Sequence, residues 1–338
     1  MKHCFLHVGF HKTATTSFQL TLQHNRERLE QEGILLPKFQ GKKQRLSANH
    51  SGQIRDLFDK NNKNLWEKKK SIFTNKPADA RRKTIEEHCK SLNCLLEQHQ
   101  DILISGEGIS TMPKNSLIRL TSKLEEHGFL IKPFALVRAP YGYLTSALQQ
   151  TIKNGKHHPL VGLTQTQDIA SNHDFKIPSS LKSINSLNQV FGERMHYIPF
   201  KQATSYPGGP VLFLLKEVLQ LKQADQYKLI NANESKSNAS TRLKNFLNLQ
   251  QPHADQGELK DLFKVISPKS QKQKFLLTEQ EFLLIEQEFK QIKSEIRSKL
   301  GKAFVEEQIE FSTQFTAQEA NNLLSQLCRN LYRFAINK

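Results

Sequence analysis

Lys12, Thr13, Thr15 and Thr16 stand together in the stretch GFHKTATT, between an apolar run at residues 5–10 and a segment with Phe18, Leu22 and Leu29 at helical spacing. That order reads as strand, tight loop, helix. The first turn of a helix presents unpaired N–H groups and a partial positive charge, so a loop wrapped there can cradle a phosphate. Lys12 adds a full charge and the threonines add hydroxyl donors. Charge-assisted hydrogen bonds contribute about 1.5–3 kcal/mol each, so four or five of them hold a nucleotide at micromolar concentration. A Walker-type loop, GxxxxGK(S/T), places its Lys late, directly before the residue that meets magnesium; here Lys12 comes early and three threonines follow. A second cluster lies downstream. Arg138 ends an apolar strand, and Ser146 follows eight residues later in a predicted helix that Pro140 suits as a first-turn residue. The planar guanidinium fork pairs with two oxygens of a phosphate. Proton transfer from a hydroxyl acceptor needs a base within hydrogen-bond reach. Glu107, in LISGEGIS at the end of a strand, and His50, in SANHS within a polar insertion, are equal candidates, while Glu27, Glu30 and Glu32 lie farther along the first helix.

The two clusters together resemble the PAPS-dependent sulfotransferases. The family's 5′-phosphosulfate loop is usually written PKSGTT or KTGTT, and it matches at Lys12, Thr13, Thr15 and Thr16. His11 stands where many members have Pro, and Ala14 stands where the family usually has Gly. Arg138 and Ser146 resemble its 3′-phosphate site, and Tyr143, Gln149 and residues 153–155 resemble the sequence after that Arg. A weaker echo is NANESKS at 231–237. The resemblance spans residues 1–240 loosely, with no match for the RKG element that supplies a further 3′-phosphate contact. It implies a 3′-phosphoadenosine 5′-phosphosulfate (PAPS) donor, PAP as product and no metal. His11, Lys12, Thr13, Ala14, Thr15, Thr16, Arg138 and Ser146 would hold the nucleotide. Lys12, with Glu107 or His50, would act in catalysis, on a hydroxyl or amine acceptor of the carbohydrate or glycan class. Two other readings stand beside it: a P-loop kinase-like nucleotide enzyme, and a non-enzymatic module for anionic polymers.

Positioning these residues requires an α/β fold, with a parallel central sheet flanked by helices and a helical C-terminal region. Strands are expected at 5–10, 34–36, 101–105, 129–137 and 195–200, and helices at 16–29, 54–58, 84–99 and 141–153. Ligands of such sheets bind at the carboxyl ends of the strands, which gathers residues 10–16, 106–110 and Arg138 on one rim. Residues 38–83 read as an insertion over one end of the sheet. A sulfotransferase-like domain at 1–240 is expected, followed by a helical extension at 241–338. There a capping box at Thr278 and Glu281 precedes an apolar stripe of Phe282, Ile285, Phe289, Ile292, Ile296 and Leu300, and Ala320, Leu323, Leu324, Leu327, Leu331 and Phe334 form another.

The chain has 338 residues, 37% of them apolar, enough for a substantial core. Its 49 Lys and Arg against 32 Asp and Glu give a net charge of +17, a surface that attracts anions. The basic residues are scattered, the densest run being 68–70 with 81–83 nearby, so nucleic acid is not the expected partner. Four cysteines without a CxxC pair, no apolar run of about 20 residues, and an N-terminus too soon interrupted for a signal peptide point to a cytoplasmic protein.

Overall fold

The computed structural model describes residues 2–41, 45–59, 78–164, 177–232, 237–250, 273–313 and 315–336. The basic run at 68–70 and most of the NANESKS echo lie outside the described residues. The chain forms two compact units, Met1–Arg138 with Ser180–Asn233, and Ala139–Ser179 with Glu234–Lys338.

The first unit is built on five parallel strands, β1 (Lys2–His7), β2 (Ile34–Leu35), β3 (Asp101–Ser105), β4 (Phe129–Val137) and β5 (His196–Pro199), in the order β2-β3-β1-β4-β5. Parallel neighbours need crossovers, and here the crossovers are helical: Thr15–His24, Arg26–Gln31, Ser51–Phe58, Ala78–Leu96, Lys114–Glu126 and Leu181–Phe191. β3 and β4 occupy the spans expected of them. β1 begins earlier and ends at His7, because Val8–Phe10 leave the sheet to enter the loop. β5 stops at Pro199, and Phe200 opens a short helix, Phe200–Thr204.

The segment expected as one helix over 16–29 is two, broken at Asn25. The Asn25 amide donates to the Thr21 carbonyl at 2.7 Å and to the Lys228 carbonyl at 3.1 Å, and its Oδ1 accepts from the Lys228 N–H at 3.0 Å. A side chain that competes for backbone groups in this way interrupts a helix. The apolar face survives the break. Phe18, Leu22 and Leu29 pack with Phe5, Leu103, Phe134, Leu136 and Ile198 in one buried cluster.

The second unit is helical: Pro140–Lys153, Asn238–Gln250, Glu279–Leu283, Glu286–Leu300 and Ala317–Ile336. The expected capping box is present, with the Thr278 hydroxyl accepting from the Glu281 N–H and the Glu281 carboxylate accepting from the Thr278 N–H. Phe282, Ile285, Phe289, Ile292 and Ile296 are buried, and Tyr141, Phe282, Phe289 and Phe311 meet edge-on or tilted. Glu281 does more than cap. It takes both terminal nitrogens of Arg242, at 2.6 and 2.8 Å, and the Gly162 N–H at 2.8 Å. Arg242 also donates to the Gly162 carbonyl at 2.6 Å, to Asn238 Oδ1 at 3.0 Å and to the Leu276 carbonyl at 3.1 Å. Both side chains are at most 2% exposed. A buried pair stripped of one partner leaves an uncompensated charge, at a penalty of about 3–5 kcal/mol. Glu281→Ala is therefore expected to destabilise the second unit by that amount in chemical unfolding, and Arg242→Met combined with Glu281→Leu by much less.

Candidate functional site

β1 is the middle strand, so its carboxyl end sits between those of β3 and β4. Beyond His7 the backbone stays tied to β4: the Val8 N–H donates to the Phe134 carbonyl at 3.1 Å and the Phe10 N–H to the Leu136 carbonyl at 3.5 Å. On the other side the Ser110 N–H donates to the Val8 carbonyl at 3.0 Å. Gly9 has φ 111°, and a Cβ there would come within 2.8 Å of the Glu107 carbonyl. Only glycine lets the two strand exits approach this closely.

The loop then winds through two left-handed residues, Lys12 at φ 67° and Ala14 at φ 61°. Ala14 is the residue before the first helical turn, in the left-handed region where glycine is the usual occupant. Alternating conformations of this kind turn successive amides toward one concavity. Ala14 offers no side-chain cap, and the first turn of the Thr15–His24 helix carries no acidic residue of its own. The N–H groups of that turn have no partners within the helix.

The three threonines differ in what they do. Thr13 is buried and donates its hydroxyl to the Phe10 carbonyl at 2.6 Å, closing the loop on itself. Thr15 donates to Glu107 Oε2 at 2.7 Å. For Thr16 no hydroxyl partner occurs among the described residues, and it is half-buried on the first turn. His11 is exposed, with Nδ1 3.5 Å from Glu107 Oε2. Glu107 thus faces His11 and Thr15. The bond to His11 lowers its pKa most, burial opposes, and the Thr15 hydroxyl and the charges of His11 and Lys12 lower it further. The Glu107 loop is itself held from the insertion: the Gly108 N–H donates to Ser51 Oγ at 2.8 Å, and the Arg55 guanidinium donates to the Gly108 carbonyl.

His50 lies elsewhere. It is 1% exposed, edge-on to Phe39. Its N–H donates to the Ser105 carbonyl at 2.9 Å and its Nδ1 accepts from the Ser105 N–H at 3.1 Å, so residue and ring together extend the edge of β3. Burial, with Arg26 nearby, pushes its pKa down to about 3. Of the two candidate bases, the structure brings Glu107 to the loop and keeps His50 in the core. His7, which spacing did not single out, is equally buried: Nδ1 is 2.7 Å from Ser105 Oγ and the ring stacks on Phe134, with its pKa also lowered to about 3 by burial.

Arg138 follows directly on β4. Its guanidinium lies over the Phe200 ring, 4.4 Å from the centroid, and its buried Nε has no hydrogen-bond partner. No carboxylate pairs with it among the described residues. Burial lowers its pKa to about 10, so it stays charged at neutral pH. Ser146 is half-buried on the Pro140–Lys153 helix of the second unit, and its hydroxyl has no partner among the described residues. A cleft of about 450 Å³ beside β5, lined by Gln202, Tyr206, Phe213 and Glu217 among others, includes none of the residues that spacing selected. Compared with protein-family models, curated proteins and solved structures, the chain matches none of them.

Two outcomes are expected. A non-glycine residue in the left-handed region is strained by about 1–2 kcal/mol, so Ala14→Gly should raise unfolding stability by about 1 kcal/mol after the added unfolded-state entropy is offset. His7 and His50 bind protons in the unfolded chain below pH ~6.5 but in the folded chain only near pH 3. The unfolded state therefore holds more protons in that window, and stability falls with pH by up to about 1.4 kcal/mol per unit for each ring. Denaturation midpoints measured between pH 7 and 4 should show a shallower fall in His50→Gln than in the wild type.

Proposed function

We propose that the first unit binds the donor nucleotide of a PAPS-dependent sulfotransferase. The observation that carries the reading is a pair of anion-seeking features at one rim of one sheet. The open first turn behind Lys12 follows β1. The guanidinium of Arg138, lacking a carboxylate partner among the described residues, follows the adjacent strand β4, and the loop is hydrogen-bonded to β4 two residues before it. A phosphosulfate at the loop and a 3′-phosphate at Arg138 would satisfy both. Lys12, the Thr16 hydroxyl and the first-turn amides are the donors toward the 5′ end. The hydroxyls of Thr13 and Thr15 shape the loop instead.

In the reaction the bond from sulfur to the bridging oxygen breaks and a bond from sulfur to the acceptor oxygen or nitrogen forms. The departing electron pair stays on the 5′-phosphate, and the acceptor proton passes to a base. Lys12 neutralises the charge that grows on the bridging oxygen, and loss of one such preorganised donor typically lowers the rate by ~10²–10³. Glu107 is the proposed base, since it lies at the loop and His50 does not. The acceptor is proposed to be a carbohydrate hydroxyl, in keeping with the net charge of +17. The described chain has no helix long and apolar enough to cross a membrane, and four unpaired cysteines suit the reducing cytoplasm.

Thermal unfolding with PAP tests the donor site. At a hundredfold excess over Kd, PAP adds about 2.7 kcal/mol of stability to wild type, and Lys12→Ala and Arg138→Ala each remove most of it. Stabilisation by ATP with magnesium but not by PAP would turn the reading to a kinase-like enzyme. Indifference to both nucleotides would turn it to a module for anionic polymers.

A further inference from the structure

A carboxylate is an odd companion for an anion loop, because like charges in one site disfavour each other. The Thr15–His24 helix keeps acidic side chains out of its own first turn, yet Glu107 reaches that turn from the exit of β3 and takes the Thr15 hydroxyl at 2.7 Å. It is locked there. Gly9 packs against its carbonyl, Ser51 and Arg55 hold Gly108, and Ser110 Oγ donates to the Glu107 carbonyl at 3.1 Å. The charged groups facing the carboxylate are His11 and Lys12 of the loop, and Arg55 holds the next residue from the Ser51–Phe58 helix. An anion bound at the first-turn amides therefore lies one hydroxyl away from a fixed negative charge.

We infer that Glu107 is a specificity-determining residue that favours a terminal sulfuryl group over a terminal phosphoryl group. The inference rests on the donor-site reading above. The two groups have nearly the same shape and offer the same oxygens, so amides and the Thr16 hydroxyl cannot tell them apart. They differ in charge. A terminal sulfuryl group carries one negative charge, and a terminal phosphoryl group carries close to two above its second pKa of about 6. Repulsion scales with the product of the charges, so the carboxylate penalises the phosphoryl terminus about twice as strongly. By the same law Lys12 draws the phosphoryl terminus harder, and Glu107 offsets that draw, so its charge moves the preference toward the sulfuryl terminus.

The test is binding of PAPS and of 3′-phosphoadenosine 5′-diphosphate, an isosteric nucleotide ending in a phosphoryl group, measured calorimetrically at pH 8. Removing the carboxylate is expected to move the ratio of PAPS to diphosphate affinity about tenfold toward the diphosphate, the change that a difference of about 1.4 kcal/mol gives. In Glu107→Gln, which can still accept from Thr15, both nucleotides should tighten, the diphosphate about tenfold more than PAPS. Glu107→Asp, which keeps the charge, should keep the preference. The pH dependence gives an independent check. At pH 5.5 the terminal phosphate is mostly a monoanion while Glu107 stays ionised, and the effect of Glu107→Gln on the ratio should shrink. An unchanged ratio in Glu107→Gln, equal weakening of both ligands, or an effect of the substitution that is the same at both pH values overturns the assignment and leaves the donor site in place. Wild type that binds neither nucleotide overturns the donor reading itself, and the role of Glu107 with it.

Discussion

β1 is hydrogen-bonded to parallel neighbours on both edges, and the arrangement at the rim follows from where that strand has to stop. His7 pairs with Ser105 on one side and Phe134 on the other. A chain enclosed in this way cannot turn aside within the sheet. It can only rise past its neighbours, and it does so through Val8 and Gly9, still bonded to β4 and pressed against the exit of β3. The loop therefore begins with its direction and its two flanking contacts already set. The helix that follows is anchored by Phe18 and Leu22 in the core beneath. Between two fixed ends, the five residues Phe10–Ala14 have little choice but to wind tightly, and left-handed conformations at Lys12 and Ala14 are the result. Backbone strain of this sort persists where the surroundings over-determine it.

The same geometry sorts the polar side chains into those that build the loop and those that face outward from it. The Thr13 hydroxyl is committed to the Phe10 carbonyl and the Thr15 hydroxyl to Glu107. The Thr16 hydroxyl, for which no partner occurs among the described residues, is left at the rim with the first-turn amides, and Arg138 stands at the next strand end. The second unit shows a different use of charge. Arg242 and Glu281 meet inside it with nearly every donor and acceptor occupied, an arrangement that joins the Gly162 turn, the Asn238–Gln250 helix and the Thr278 cap. Arg138 is half-buried without such a partner among the described residues.

Much of the sheet was legible because its signals are local. β3 and β4 are apolar runs bounded by polar or glycine-containing turns, and both spans agree with expectation. The break at Asn25 was not legible, since it depends on Lys228, which is remote in sequence. The helices Lys114–Glu126 and Leu181–Phe191 were missed although their apolar spacing was available: Leu117, Leu120 and Leu124 recur at intervals of three and four. At the site, the spacing of Lys12 and Arg138 placed both on the rim, and the strand-end position of Glu107 did the same. SANHS reads as a polar surface turn, and nothing local in it says that His50 lies beneath the rim as an extension of β3. The strain at Ala14 was foreseeable only as a conditional, from a side chain where a glycine is usual.

The order in which the strands arrive has a consequence for the nascent chain. β4 pairs β5 through Phe134–Val137 against His196–Pro199, and about 60 residues separate the two. At roughly 5–20 residues per second, the outer edge of β4 waits about 3–12 s for its partner to be synthesised. That edge reads FALV, without a charge, and each of its residues ends at most 2% exposed. Short uncharged apolar strands with an open edge are templates for pairing with other chains. During synthesis the outer edge of β4 therefore stays open to such pairing for that interval.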